Sequence, residues 1–170
     1  MRIETNVSSL ELIAQTEVTP LELISMSINW IVSKELMQKI SGNLTSGLNR
    51  GAKFLALPVY RDIFLKELGA EVYCGTLNLV ISPEDAVKID EQFGMAHTYD
   101  NLIHEGKKVG AIATLSITLR YESREKHSVI VRPLLTSHSS ETIEIVSSIC
   151  FRNLWGLQDG DELTVILEDL

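Results

Sequence analysis

Apolar residues recur at Leu21, Ile24, Ile28 and Ile31, close to the helical period, with Thr19 placed to cap and Pro20 at a first helical position. The spacing predicts an amphipathic helix from about 20 to 39. The run Ser41-Gly42-Asn43-Leu44-Thr45-Ser46-Gly47 then gathers turn formers, which divides the chain into a helical extension, 1–40, and a main domain, 41–170. Beyond it the pattern becomes one of short strands. Phe54 to Val59 and Leu77 to Ser82 read as strands, Val109 to Leu119 and Ser128 to Val131 are β-branched and apolar, and Leu163 to Leu167 follows the turn signal Asp159-Gly160-Asp161. Between them, Tyr60 to Leu68 has helical spacing stopped by Gly69, and Pro83 to Phe93 reads as a helix ended by Gly94. Many short strands with few helices predict a mainly β fold: a small barrel with short helices and an N-terminal helical extension.

The length of 170 residues suits one domain with a short appendage. A hydrophobic share of 45% against 22% charged residues is enough for a real core. The net charge of −8 argues against a protein that grips nucleic-acid backbone, so an anionic substrate needs a local site. Cys74 and Cys150 lack any paired metal or redox spacing and read as buried or idle thiols in a reducing cytoplasm. No secretory pattern opens the chain, and the most apolar window, Leu21 to Val32, is too short for a membrane span and contains Glu22. The expectation is a cytoplasmic protein without membrane association.

Candidate chemistry concentrates at Tyr73-Cys74-Gly75-Thr76-Leu77-Asn78. In an extended strand Thr76 and Asn78 project from one face while Leu77 points to the core, so a hydroxyl and a carboxamide oxygen converge. Two neutral oxygens suit magnesium that arrives with phosphate ligands, although the same residues also suit an ordinary turn. Gly42 to Gly47 has the glycine spacing of a Walker loop, but Leu48 stands where the lysine must be, and that motif is rejected. Gly47-Leu48-Asn49-Arg50-Gly51 is a second phosphate-cradle candidate, or a plain linker turn. The polar segment Thr136 to Glu144 reads either as contacts for a hydroxyl-rich ligand or as a helix entry capped by Ser140. His138 has no metal partner at finger or helical spacing, and Arg152 is either a phosphate contact or a surface arginine.

In order along the chain, the glycine loop at 47–51, Tyr60-Arg61-Asp62-Ile63-Phe64 with Leu68-Gly69, Gly75-Thr76-Leu77-Asn78, Thr136 to Glu144, and Gly156-Leu157 with Asp159-Gly160-Asp161 resemble the archaeal CTP-dependent riboflavin kinases. The resemblance covers about residues 46 to 168. It implies a six-stranded cradle-loop barrel that transfers the γ-phosphoryl of CTP to the 5′-hydroxyl of riboflavin, giving FMN and CDP. By position it implies that Thr76 and Asn78 hold Mg2+ and that Gly47, Leu48, Asn49, Arg50, Gly51 and Ala52 wrap the nucleotide. It further implies that Ile149, Cys150, Phe151 and Arg152 complete the nucleotide pocket, and that Thr136 and Glu144 contact the flavin. Glu144, the carboxylate of that flavin segment, is the candidate to orient or deprotonate the accepting hydroxyl.

The chain departs from the family pattern at Asn49, where a central glycine is usual, at Ala52, in a stretch beside Lys53 that often carries a basic or aromatic residue, and at Cys74, where proline is common. A protein that binds flavin or nucleotide with weakened catalysis is therefore one alternative. A second is a kinase that also regulates transcription, since some relatives carry an N-terminal winged helix-turn-helix domain. Residues 1–40 hold three basic residues against five acidic ones, a poor DNA grip, and we expect them to pack on the barrel or form a dimer contact. The sequence does not set the oligomeric state.

Overall fold

The computed structural model describes residues 38–47, 51–134 and 141–167, all within one compact unit, Met37–Leu170. The helix expected over 20–39 lies outside the described residues except at its end, where Lys39 instead opens a strand. The strands are β1 (Lys39–Thr45), β2 (Leu77–Ile81), β3 (His97–Tyr99), β4 (Ile103–His104), β5 (Lys107–Lys108), β6 (Ile112–Tyr121), β7 (Arg124–Pro133), β8 (Thr142–Val146) and β9 (Glu162–Leu167). The helices are α1 (Gly51–Leu55), α2 (Pro58–Leu68), α3 (Pro83–Phe93) and α4 (Phe151–Trp155).

Six of the strands close a barrel in the order β6-β7-β8-β2-β1-β9, every pair antiparallel, with β9 returning to β6. The ten-residue β6 makes closure possible: its start pairs with β3 at Ile112 to Thr114, and its later part pairs with β9 at Ile117 to Arg120. Closure removes the open sheet edges that would otherwise template aggregation. Inward residues of every barrel strand, among them Ile40, Leu79, Leu115, Ile117, Ile145 and Val165, form the interior core with Phe151 and Trp155 of α4. A second apolar layer lies outside the barrel, where Leu55, Tyr60, Ile63 and Phe64 of α1 and α2 cover Val129, Val131 and Val146. Each fully buried aliphatic or aromatic side chain stabilises by about 1.5–3 kcal/mol over leaving it exposed.

Several expected elements are found as read. Helix α3 starts at Pro83 behind Ser82, whose hydroxyl accepts from the Asp85 N–H at 3.1 Å. Helix α2 stops at Gly69, whose φ of 62° is left-handed. Three readings are corrected. The strand expected over Phe54 to Val59 is helical: α1 ends at Leu55 and α2 begins at Pro58. A short apolar run is ambiguous between strand and buried helix, and Pro58 fits a first helical turn better than a paired strand. The turn formers at 41–45 are part of β1, which alternates exposed and buried positions. There Gly42 faces the barrel interior so tightly that a Cβ would meet Ile81 Cγ2 at 3.0 Å. Finally, Thr142 to Val146 is a strand and not the helix that the Ser140 cap suggested, because its alternating apolar residues pair with β2 and β7.

Candidate active site

The register of the barrel brings the proposed metal and catalytic residues together. Asn78 on β2 stands directly opposite Thr45 on β1 and directly opposite Glu144 on β8. Opposed residues of antiparallel strands share a face with Cβ atoms about 4.5–5.5 Å apart. That face is the outer one, continuous with the layer under α1 and α2, since Glu144 is in turn opposite Val131 of that layer. Thr76 lies just before β2, two residues from Asn78.

Both glycines that bound the loop after β1 press against these two side chains. A Cβ on Gly47 would lie 2.0 Å from Asn78 Nδ2, and a Cβ on Gly51 would lie 2.6 Å from both Oγ1 and Cγ2 of Thr76. Neither glycine has a positive φ, so close approach is what excludes a side chain there. Asn78 Oδ1 is buried without a hydrogen-bond partner among the described residues. An orphaned buried acceptor costs about 1–3 kcal/mol, which a cation would recover. No cluster of three or more His, Cys, Asp or Glu suited to a metal occurs among the described residues. The donors present are a hydroxyl and a carboxamide, a set that fits a hard ion whose negative ligands come from phosphates.

Beside this pair opens a cavity of about 230 Å³. Gly47, Gly51 and Ala52 form one wall, residues 73–77 a second, and Ile149 to Arg152 a third. The residues assigned to the nucleotide therefore converge wherever they are described; Leu48, Asn49, Arg50 and the flavin-assigned Thr136 lie outside the described residues. Arg152 bridges two walls, donating to Thr45 O at 3.3 Å and to Asp159 Oδ1 at 2.5 Å. Ser46 donates to the other oxygen of Asp159 at 2.6 Å. These bonds, from Ser46 first and Arg152 next, hold the Asp159 carboxyl below its ordinary pKa. Asp159 thus ties the start of the glycine loop to the cation at the cavity wall. At the mouth, Tyr73 is 44% exposed, and its hydroxyl is held above the usual phenol range chiefly by its hydrogen bond with Cys150. Cys74 and Cys150 are free thiols, as expected, and line the cavity; Cys74 is exposed and Cys150 partly so, which corrects only the expectation of burial.

Sequence reasoning missed Ser46, Tyr73, Asp159 and Ser147 as site residues. Asp159 read as turn chemistry because Asp-Gly-Asp is a turn signal, and no local pattern shows that its carboxylate reaches residues 113 positions away.

The structure is thus a small closed six-stranded antiparallel β-barrel with short helices, its glycine loop packed against Thr76 and Asn78. Residues 44–167 match the family model CTP-dep_RFKase, described as "Domain of unknown function DUF120". The chain belongs to this family, the archaeal CTP-dependent riboflavin kinases. It is 33% identical over 130 residues to a riboflavin kinase of Sulfurisphaera tokodaii, covering 74% of this chain and 92% of that one. It is 30% identical over 139 residues to a riboflavin kinase of Sulfolobus acidocaldarius, covering 79% and 84% respectively. A riboflavin kinase of Methanosphaera stadtmanae is 30% identical over 134 residues, 78% of this chain and 99% of that one.

Proposed function

We propose that this protein is a CTP-dependent riboflavin kinase in which Thr76 and Asn78 anchor the phosphate end of CTP and Glu144 serves the accepting hydroxyl. The observation that carries the assignment is the register pairing of Asn78 with Glu144 on one face, with Gly47 packed against the Asn78 carboxamide and Gly51 against the Thr76 side chain. The 5′-hydroxyl oxygen of riboflavin forms a bond to the γ-phosphorus of CTP, the bond from that phosphorus to the β-bridging oxygen breaks, and CDP leaves. The hydroxyl proton passes to the Glu144 carboxylate. Such transfer needs little covalent help from a protein and depends on alignment and charge neutralisation. Mg2+ held by Thr76 and Asn78 would neutralise charge on the phosphates.

The chain's own residues do the rest. Gly47 and Gly51 let backbone approach the phosphates, and Ala52 adds no bulk beside them. Arg152 sets a cation at the cavity wall, oriented by Asp159. Among the described residues no helix is long and apolar enough to cross a membrane, and the free thiols support a reducing, cytoplasmic setting.

The test is FMN formation from riboflavin with CTP, ATP, GTP and UTP in parallel, with and without Mg2+. FMN made best with CTP, and lost on chelation, is the expected result. Tight CDP binding with no FMN from any donor would replace the kinase reading with that of a nucleotide binder.

A further inference from the structure

Ser147 is 3% exposed, and its hydroxyl is the second buried polar side-chain atom without a partner among the described residues, beside that of Asn78. Unlike Asn78 it belongs to the cavity's inner wall. It follows β8, where its carbonyl accepts from the Tyr73 N–H at 2.9 Å and continues the pairing with the chain before β2. Strand alternation carries Ser147 to the side of Ile143 and Ile145, which face the barrel interior, and away from Glu144. Ile145, Leu77 and Phe151 also line the cavity. The cavity lining therefore combines two kinds of surface. One holds Thr76 and the glycine loop, suited to phosphates. The other is apolar with one buried hydroxyl that has no partner among the described residues, the composition that suits a planar heterocycle with a polar edge.

We infer that the Ser147 hydroxyl hydrogen-bonds the edge of the donor nucleotide's base and helps hold the nucleoside, an inference that rests on the kinase reading of this cavity. A hydroxyl both donates and accepts, so a turn about χ1 suits it to either kind of atom on a pyrimidine edge. In the free protein the group goes unsatisfied by any described residue; in the complex the base satisfies it. This is a ligand contact with an unusual signature, because removing the group relieves the free protein while weakening the complex.

The experiment compares wild type with S147A, and with S147C as a near-isosteric second variant, in three readouts. Melting of the free protein should be unchanged or higher in the variants. The KM for CTP and the inhibition constant of CDP should rise about 3- to 10-fold, the value of one neutral hydrogen bond, with kcat at saturating CTP and the KM for riboflavin held within about twofold. Inhibition by inorganic pyrophosphate and by ribose 5-phosphate, which lack the base, should not change. The inference is overturned if CDP inhibits the variants as it does wild type, if the base-free probes weaken equally, or if free S147A melts lower while CDP binding follows that loss. Failure of the wild type to form FMN would instead overturn the kinase reading, so the two failures are separable.

Discussion

Gly51→Ala is the sharpest probe of how the glycine loop serves the site. Gly51 opens α1 with no positive φ, so alanine is acceptable to the backbone and gains up to about 1 kcal/mol of helix propensity. The side chain has nowhere to go, because its Cβ would stand 2.6 Å from both γ atoms of Thr76 and 3.2 Å from its Cβ. Ordinary carbon contacts lie at about 3.5–4.0 Å, so Thr76 must retreat by roughly 1 Å, and rotation about χ1 cannot clear two γ atoms at once. A 1 Å misplacement of a positioned group costs about 10²-fold in rate. We expect G51A to lose about 10²-fold in kcat/KM for CTP while melting within a few degrees of wild type. The same substitution in a Thr76→Ala background, where both γ atoms are gone, should cost no more than about threefold, a coupling of about 2 kcal/mol. FMN formation under single-donor conditions gives the four rates of the cycle. Wild-type turnover by G51A, or equal losses in both backgrounds, would refute the idea that Gly51 acts by making room for Thr76.

Glu144→Gln should lower kcat by about 10²–10⁴-fold with riboflavin affinity little changed; full turnover in this variant, while Thr76→Ala with Asn78→Ala abolishes activity, would remove Glu144 as the base. Asp159→Asn should raise the KM for CTP about two- to fivefold by releasing Arg152 and Ser46. Its carboxyl is held below the ordinary 3.8, so the stabilisation it gives is present above that pH and vanishes as pH falls through the lower folded value. Thermal melts of wild type and D159N should therefore differ at neutral pH and converge in acid, and a constant difference would contradict the assignment. Tyr99 is pushed up to about 12 from 10.0, first by burial and then by its 2.5 Å hydrogen bond to Glu67. The sign is the reverse of that for Asp159: stability is intact below pH 10.0 and lost as pH rises through about 12. Absorbance titration should show one late phenol missing from Tyr99→Phe, and a normal titration in wild type would defeat the reading.

Much of this protein is legible locally. Helix α3 between Pro83 and Gly94, the Gly69 stop and the strand at Leu77 follow from rules that act over a few residues. The motif order along the chain also identified the family before any geometry. The misreadings have one cause. Gly42 looks like a turn former because glycine is flexible, yet it sits in a strand because Ile81 and Leu79 crowd it from β2. Phe54 to Val59 looks like a strand because it is apolar, yet it covers the outside of the barrel as two short helices.

Sequence alone nominated the members of the proposed site: one hydroxyl, one amide, one carboxylate and the glycines of the loop. Only the tertiary structure decided that Asn78 faces Glu144, that Gly47 and Gly51 are pinned by contact with Asn78 and Thr76, and that Asp159 reaches back to Ser46. Local propensities fix where a strand runs and which way its side chains alternate, whereas register and barrel closure come from the interior core, assembled from residues distant in sequence.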